Sequence, residues 1–410
     1  MDAVTTKANR QAVEAGNGRD FQKRKPRILV AYDVVSRGGA EATLMLLLQE
    51  LPRYGEVTFL TAGDTDLEAL NKFCSTQVDP REVRVRRVPG TALLPRGRGY
   101  RLRKLLFDYF AIWLGDRYDI RICTYNFVNW RRPGIHFIGD VYFWSEGAEA
   151  VRDSALPEKR LLRALHTAYR KAMKRLTPKP RLELLKRGVV VANSHYSARI
   201  IAAHAPELRI VTIYPPILLP FPESAGDGWE SRENAFLSLS RIDPAKRIED
   251  IIEILKRVRS AGHPVKLYLC GYIGNDPYGS KIAALCAENV GWIEPQGMVQ
   301  GERKIALLKS CRYGISACPF EWFGIAVAEM VKAGQIVFTP NGGGQTEILE
   351  CDDLLFSGVE DAARKIIQVL ESTVRQQQLR SHLAARARQF EPEQVKKQYL
   401  ELIREQLRNL

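Results

Sequence analysis

Short apolar runs alternate with longer stretches of helical spacing along almost the whole chain. Residues 27–35 (RILVAYDVV) are predominantly apolar, the composition of a strand covered on both faces. A Ser-Arg-Gly-Gly-Ala-Glu turn at 36–41 leads into an apolar helix to about residue 53. Residues 56–62 form a second strand, and 83–88 (VRVRRV) alternate like a half-exposed third. Residues 120–125, 135–138, 189–193 and 209–216 continue the series. Ser194 suits the cap of the helix that follows 189–193. Residues 96–104 are a basic run at a loop and helix start. Residues 157–176 set Leu161, Leu165, Ala168, Ala172 and Leu176 on one stripe with seven Lys/Arg around it, a basic amphipathic helix. Residues 217–233 are rich in Pro, Gly, Ser and acids, have no period, and make a linker.

The pattern then restarts. Residues 234–242, 266–271 and 292–297 are strands, with a loop over 271–279. Tyr313, Ile315 and Ala317 alternate as another strand, which Pro319 ends. Phe323, Val327, Met330 and Val331 give residues 323–333 the spacing of a helix. Gly334 stands where a glycine ends a helix. Residues 335–340 are a short apolar strand, and Gly342, Gly343 and Gly344 form a loop. Residues 353–356 close the sheet, with helices over 358–371, 374–390 and 392–407. Strands alternating with helices, broken once, predict an α/β protein of two doubly wound parallel sheets facing a cleft. The expected parts are a disordered tail (1–26), a first domain (27–216), the linker (217–233), a second domain (234–390) and a closing helix (391–410) that packs back on the first.

Composition narrows the class. The chain has 410 residues, 45% hydrophobic and 26% charged, enough for two ordinary globular cores. Its seven cysteines show no Cys-x2-Cys pair or zinc spacing, which indicates reduced thiols and a reducing compartment. Residues 1–26 lack the apolar core of a signal peptide, and no apolar run approaches the ~18 residues that span a bilayer. A cytoplasmic protein is expected, peripheral to the cytoplasmic membrane face if bound to one. Residues 80–190 hold 25 Lys/Arg against 10 Asp/Glu, a net of +15, whereas the whole chain carries +14. Such a segment suits an anionic neighbour (an anionic lipid surface, a lipid-pyrophosphate acceptor or nucleic acid), or serves solubility alone. No zinc spacing, RNA-recognition signature or aromatic platform supports specific nucleic-acid binding.

Candidate chemistry gathers around residues 319–344. Glu321 and Glu329 stand eight residues apart, across the loop and first two turns of a helix. They can line one mouth at the carboxyl end of the sheet, where α/β proteins bind ligands. Glutamates are otherwise mostly solvated, so the pair alone leaves both readings open. Arg241 ends a strand, Lys246 follows five residues on, and Pro244 suits a first helical turn. The two cations can neutralise a diphosphate, or simply open an exposed basic helix. Gly38 and Gly39 let backbone amides approach an anion at a helix start, or make a tight turn only. His136, in IHFIGD, has the setting of a core histidine as well as of a site residue. Val299, in Gly297-Met298-Val299, ends a strand where backbone groups can meet a nucleobase.

The stretch Glu-x-Phe-Gly-Ile-x-Val-x-Glu, then Ala-Gly-x-Ile, then Asn-x-Gly-Gly, resembles the retaining glycosyltransferases of family 4 (group 1). Within that family it is most similar to the α-1,2-mannosyltransferases that extend dolichol-linked oligosaccharides. Asn193-Ser194 and Tyr214-Pro215-Pro216 share the likeness, which thins toward the amino terminus. It implies the GT-B fold, two Rossmann-like domains facing a cleft. It implies that Glu321 approaches the donor sugar and Glu329 the ribose. The amides of Phe323, Gly324 and Ile325 then meet sugar and phosphate, and Gly38 and Gly39 face the diphosphate. Arg241 and Lys246 become the phosphate-binding pair, and His136 touches the sugar near the β-phosphate. Glu41 and Asp140 fall on the acceptor side. Trp322 replaces the small or polar residue usual in its slot.

The implied reaction moves a hexose from a nucleotide-diphosphate sugar to a glycan or lipid-linked glycan. GDP-mannose is the first choice of donor and a UDP-sugar the second. No cofactor or metal is expected, because Arg241 and Lys246 supply the charge that a divalent ion otherwise would. The rivals are an epimerase or phosphorylase on the same scaffold, a basic nucleic-acid-binding protein, and an inactive partner subunit.

Overall fold

The structure, a computed structural model, describes residues 24–35, 41–94, 100–125, 127–140, 167–169, 171–173, 175–219 and 228–408. The expected tail through residue 23, Gly38 and Gly39, most of the expected helix over 157–176, and linker residues 220–227 lie outside these.

Among the described residues the strands form two sheets in which every pairing is parallel. The first contains β1 (Arg27–Ala31), β2 (Glu56–Thr61), β3 (Val83–Arg87), β4 (Ile120–Cys123), β5 (Ile135–Ile138), β6 (Val189–Ala192) and β7 (Ile210–Thr212), ordered β3-β2-β1-β4-β5-β6-β7. The second contains β8 (Glu233–Leu239), β9 (Lys266–Cys270), β10 (Ile293–Gly297), β11 (Cys311–Ile315), β12 (Ile336–Pro340) and β13 (Leu355–Phe356), ordered β10-β9-β8-β11-β12-β13. Each order reverses once, between β1 and β4 and between β8 and β11. Connections leave the carboxyl edge on opposite faces at such a reversal, which opens a crevice there.

The helices with the first sheet are α1 (Glu41–Glu50), α2 (Leu67–Cys74), α3 (Tyr100–Gly115), α4 (Leu182–Leu185) and α5 (His195–His204). Those with the second are α6 (Ile248–Ser260), α7 (Pro277–Glu288), α8 (Gly301–Ser310), α9 (Ile325–Lys332), α10 (Gln345–Leu349), α11 (Val359–Leu370) and α12 (Thr373–Ala387). Helix α13 (Pro392–Arg408) follows them. The unbroken apolar run of β1 has a direct cause. Ile28 and Val30 join the core on the face of α1, while Leu29 and Ala31 join the core on the face of α3. A sheet covered on both sides leaves no position from Ile28 to Ala31 for a polar side chain, and only Arg27 at the strand's start is exposed.

Helix α13 returns to the first domain. Its Val395, Tyr399, Leu402 and Ile403 enter the core beneath α1, and the Tyr399 hydroxyl lies 3.1 Å from Thr43 Oγ1. Burying four such side chains contributes about 1.5–3 kcal/mol each. The chain therefore crosses between domains twice, and the Ile217 amide donates to the Phe390 carbonyl at 3.0 Å, tying the crossings together.

Several elements differ from the sequence pattern. The helix anticipated over 323–333 starts at Ile325, because Gly324 takes φ +102°, a left-handed conformation that ends the loop. It stops where anticipated: Gly334 and Gln335 donate to the Val331 and Met330 carbonyls, closing the last turn. The anticipated loop 271–279 is cut short by Asp276, whose carboxylate accepts from the Tyr278 and Gly279 amides and caps α7. Helix α3 runs well beyond the basic start anticipated at 96–104. Its inward stripe of Arg103, Phe107, Ala111 and Leu114 begins with a charged residue, which hides the period.

His136 is a core residue. It sits in β5 between Cys123 and Val190 of the flanking strands, 2% exposed, with its ring 5.0 Å from that of Trp130. Strand alternation turns it into the sheet's packed face, so it does not reach a sugar in the cleft. Burial lowers its pKa from 6.5 to about 3, so the folded protein holds it neutral. Between those values the unfolded chain binds a proton that the folded chain refuses, so this residue's contribution falls as pH falls. From pH 7 to pH 5 the loss is about 2 kcal/mol. The stability difference between wild type and His136→Phe, measured by urea unfolding at both pH values, should shift by that amount. A constant difference would mean the buried imidazole protonates in place.

Candidate functional site

The site forms at the reversal of the second sheet. After β8 the chain turns through Arg241 into a single 3-10 turn, Pro244–Lys246, capped by the Asp243 carboxylate accepting from the Ala245 amide at 3.1 Å. After β11 it passes through Pro319, Glu321 and Gly324 into α9. Because β8 and β11 are neighbours, the two loops adjoin, and Lys246 Nζ donates to Glu321 Oε1. Lys246 is largely buried. Burial pushes its ammonium down, and the Glu321 carboxylate more than reverses this, leaving the pKa above the usual lysine value. Lys246 therefore stays charged at neutral pH. Arg241 stands at the mouth of the same loop, 83% exposed, with Nη1 3.1 Å from Asp243 Oδ2.

Glu329 lies in the second turn of α9, largely buried, and accepts from Lys304 Nζ at 2.6 Å. Lys304 comes from the first turn of α8, reached through Val299, which is half-buried against the second-domain core. Both expected carboxylates thus carry a lysine partner, one from the 3-10 turn after β8 and one from the first turn of α8. Phe323 contributes only its backbone, since its ring is buried against Tyr214 (5.6 Å) and Phe390 (5.4 Å). The amides of Gly324 and Ile325 open α9, where helix geometry leaves N–H groups for an anion. Gly342 to Gly344 do not line an open loop. The Gly344 amide donates to the Glu321 carbonyl at 2.7 Å, and a Cβ on Gly344 would fall 2.2 Å from the Trp322 carbonyl oxygen. Glycine is required because two backbones touch there.

The first domain holds this loop from the other side. Ser194 Oγ and Ser197 Oγ both donate to the Trp322 carbonyl, at 2.5 and 3.2 Å. The Trp322 side chain packs against the first-domain core around Ile138 and Val190, with Tyr196 6.0 Å away. The tryptophan is thus an interdomain anchor. Glu347, in α10, accepts from the His195 and Tyr196 amides at 2.8 and 2.5 Å and from the Tyr214 hydroxyl at 3.1 Å. A second-domain carboxylate therefore caps first-domain helix α5.

At the reversal of the first sheet, Tyr32 follows β1 and Tyr125 follows β4, their rings 5.6 Å apart. Tyr125 donates to Asp140 Oδ2 at 2.6 Å, and Tyr32 to Glu41 Oε1 at 3.2 Å. Asp140 is half-exposed there. Glu41 is 1% exposed and serves as the buried acceptor for Tyr32, so it does not meet an acceptor molecule. The structure brings Lys246, Glu321 and the α9 start together, with Glu329 in the second turn of α9. It removes His136 and Glu41 from the site. Sequence reasoning missed Lys304, Tyr125 and Glu347, whose only signal is a charged or hydroxyl group near an element boundary. Among the described residues no group of three or more His, Cys, Asp or Glu side chains is placed to hold a metal ion.

Residues 223–390 match the family described as glycosyl transferases group 1. A search of curated proteins finds no significant match. Among solved structures, HepE of Anabaena in complex with UDP and glucose is similar at 18% identity and a TM-score of 0.64, covering 93% of this chain and 100% of that one. Sucrose-phosphate synthase of Thermosynechococcus elongatus is similar at 15% identity and 0.64, covering 94% and 100%. WaaG, a glycosyltransferase involved in lipopolysaccharide biosynthesis, is similar at 19% and 0.54, covering 89% and 94%. The fold is GT-B.

Glu347→Ala should loosen the domains. Charge-assisted hydrogen bonds of this kind contribute about 1.5–3 kcal/mol each to the state that makes them. We expect a lower melting temperature and a larger radius of gyration by small-angle scattering. An unchanged radius would show that the remaining interdomain contacts, Trp322 and helix α13 among them, set the domain arrangement without Glu347.

Proposed function

We propose that the protein is a retaining glycosyltransferase that moves a hexose from a nucleotide-diphosphate sugar to a glycan or lipid-linked glycan, without a metal ion. The observation that carries this reading is the charged Lys246 on Glu321 at the sheet reversal, inside the segment that matches glycosyl transferases group 1. In the reaction the anomeric carbon loses its bond to the diphosphate oxygen and gains one to the acceptor hydroxyl. Negative charge grows on the leaving oxygens. Lys246, Arg241 at the mouth, and the amides of Gly324 and Ile325 are fixed donors aimed at that charge, and such preorganised groups lower the barrier. Glu321, held by Lys246, receives hydroxyls of the donor sugar. Glu329, held by Lys304, receives the ribose hydroxyls. Attack comes from the face the diphosphate leaves, and a leaving phosphate oxygen takes the acceptor proton, which conserves anomeric configuration. Asp140, fixed by Tyr125, stands on the acceptor side. Interdomain contacts beside Glu321 keep water from the reacting centre.

The Glu321–Gly344 motif favours GDP-mannose as donor. A UDP-sugar is the second reading, favoured by the UDP-glucose held by the similar HepE structure. Thermal shift against GDP, UDP, ADP and TDP, with and without EDTA, separates them. A ligand at 100 times its dissociation constant stabilises by about 2.7 kcal/mol. A GDP shift indifferent to EDTA is expected. A UDP shift instead would keep the activity and change the sugar, and no shift with any nucleotide would overturn the proposal.

Two variants test the roles. Lys246→Ala should lower turnover more than tenfold, about 1.4 kcal/mol of barrier, with circular dichroism unchanged. Glu329→Ala should weaken nucleotide binding; an unaltered dissociation constant removes it from the donor site.

A further inference from the structure

The first domain carries a surface that the cleft chemistry does not use. Helix α3 packs Phe107, Ala111 and Leu114 inward and leaves Tyr109 and Trp113, four residues apart, 56% and 47% exposed. Phe110 lies beside Trp113 at 5.3 Å, and the Tyr109 hydroxyl donates to the carbonyl of Leu176, itself an exposed apolar residue. The ridge is therefore aromatic and continuous. Two guanidinium groups cover it: Arg117 lies 3.9 Å over the Trp113 ring and Arg86 5.2 Å over Phe110. Neither is in an ion pair among the described residues. Next to the ridge, at the amino ends of β1, β2 and β3, is a cavity of about 690 Å³. Arg27, Arg81, Arg84, Arg86 and Arg117 line it, against two glutamates. Apart from Arg27 and residues 56–58, this face comes from the span 80–190, whose net charge of +15 compares with +14 for the whole chain.

We propose that this face docks on an anionic lipid bilayer, with Trp113 and Tyr109 at the headgroup level and the arginine-lined cavity receiving lipid phosphates. Tryptophan and tyrosine favour the membrane–water interface because one end of each ring is apolar and the other is wet. Arginines beside them add attraction to anionic headgroups. A nucleic acid would use aromatic side chains as a stacking platform within a basic groove; here guanidinium groups lie over Phe110 and Trp113, and the Tyr109 hydroxyl is tied to the Leu176 carbonyl. No helix among the described residues is long and apolar enough to cross a membrane, so this docking is peripheral. Helix α3 spans 16 residues, about 24 Å. It descends from the carboxyl edge, where Tyr100 is exposed, to the amino edge at Arg117. A bilayer lying along it keeps the cleft mouth near the interface. The proposal deepens the lipid-linked acceptor reading, yet lipid binding is measured without any transfer reaction.

The experiment is co-sedimentation of the full chain with phosphatidylcholine vesicles, with and without one third phosphatidylglycerol, at low and high salt. Wild type should bind the anionic vesicles and release with salt. The double variant Arg86→Glu/Arg117→Glu should bind more than about tenfold more weakly. Trp113→Ala should remove the blue shift in tryptophan emission that vesicles induce. Nucleotide thermal shifts should match wild type in each variant, which excludes misfolding and leaves the glycosyltransferase reading untouched. Equal binding to neutral and anionic vesicles, or binding unaffected by the variants, would overturn the proposal. So would failure to bind vesicles with retained, salt-sensitive binding to RNA or to free inorganic phosphate.

Discussion

The placement of the candidate site depends on a carboxylate from one domain completing a helix in the other. Helix α5 exposes unpaired amides at its first turn, as every helix does. Glu347 meets two of them across the domain boundary, while the cap residue Ser194 turns its hydroxyl to the Trp322 carbonyl. Trp322 follows Glu321 directly, and the Gly344 amide holds the Glu321 carbonyl. The first domain therefore fixes the Trp322 carbonyl beside the site carboxylate, and Gly344 of the second domain fixes the carbonyl of Glu321 itself. Opening the domains would leave α5 amides, a glutamate and a carbonyl to water at once, so closure and site geometry are one event.

Within that frame, electrostatics selects what the cleft can accept. Glu321 and Glu329 are each largely withdrawn from water, and a buried carboxylate without a partner is costly. Lys246 and Lys304 remove that cost, and in doing so bring two ammonium groups to the carboxyl edge. With Arg241 and its partner Asp243 the local balance is three cations to three carboxylates. The amides at the start of α9 add the unpaired positive potential, and an anion meets it there. Hydroxyl-rich groups suit the carboxylates, whose free lone pairs accept hydrogen bonds. A sugar diphosphate combines both features.

The sequence made the second domain legible because its signals are local. Gly334 ends α9, and the strands leading to Arg241 and Glu321 are short apolar runs, so the Glu321–Lys246 contact follows once β8 and β11 are adjacent. The first domain was less legible for a physical reason. His136 sits in an apolar strand four residues before Asp140, and a shift of one residue decides whether a strand side chain faces core or cleft. Burial beside Trp130 decided it, and no local pattern reports that. Glu41 shows a related failure: a carboxylate at a helix start suits the dipole, but Tyr32 lies nine residues earlier in sequence and draws it inward. Glu347 and Lys304 were missed because their partners are 152 and 25 residues away.

A parallel sheet also divides the surface of each domain. Every carboxyl end lies at the cleft, so residues at the amino edge are free of the cleft's demands and show what else the surface answers to. The second domain supplies the contrast. Its amino edge is arginine-rich too, around Trp229, but those arginines tie backbone together: Arg312 donates to the Trp229 and Glu230 carbonyls and Arg232 to that of Ala333. They complete the fold where strands begin. On the first domain, Arg86 and Arg117 also lie over aromatic rings, the half-buried Phe110 and the exposed Trp113, as Arg312 and Arg380 do over Trp229, but neither ties backbone together among the described residues. A guanidinium that stacks on a ring keeps its in-plane N–H groups directed outward, where phosphate oxygens accept them two at a time. The same residue type therefore serves internal structure in one domain and an outward anion-binding face in the other. The difference lies in what the N–H groups of each guanidinium meet: backbone carbonyls in the second domain, and no protein acceptor among the described residues in the first.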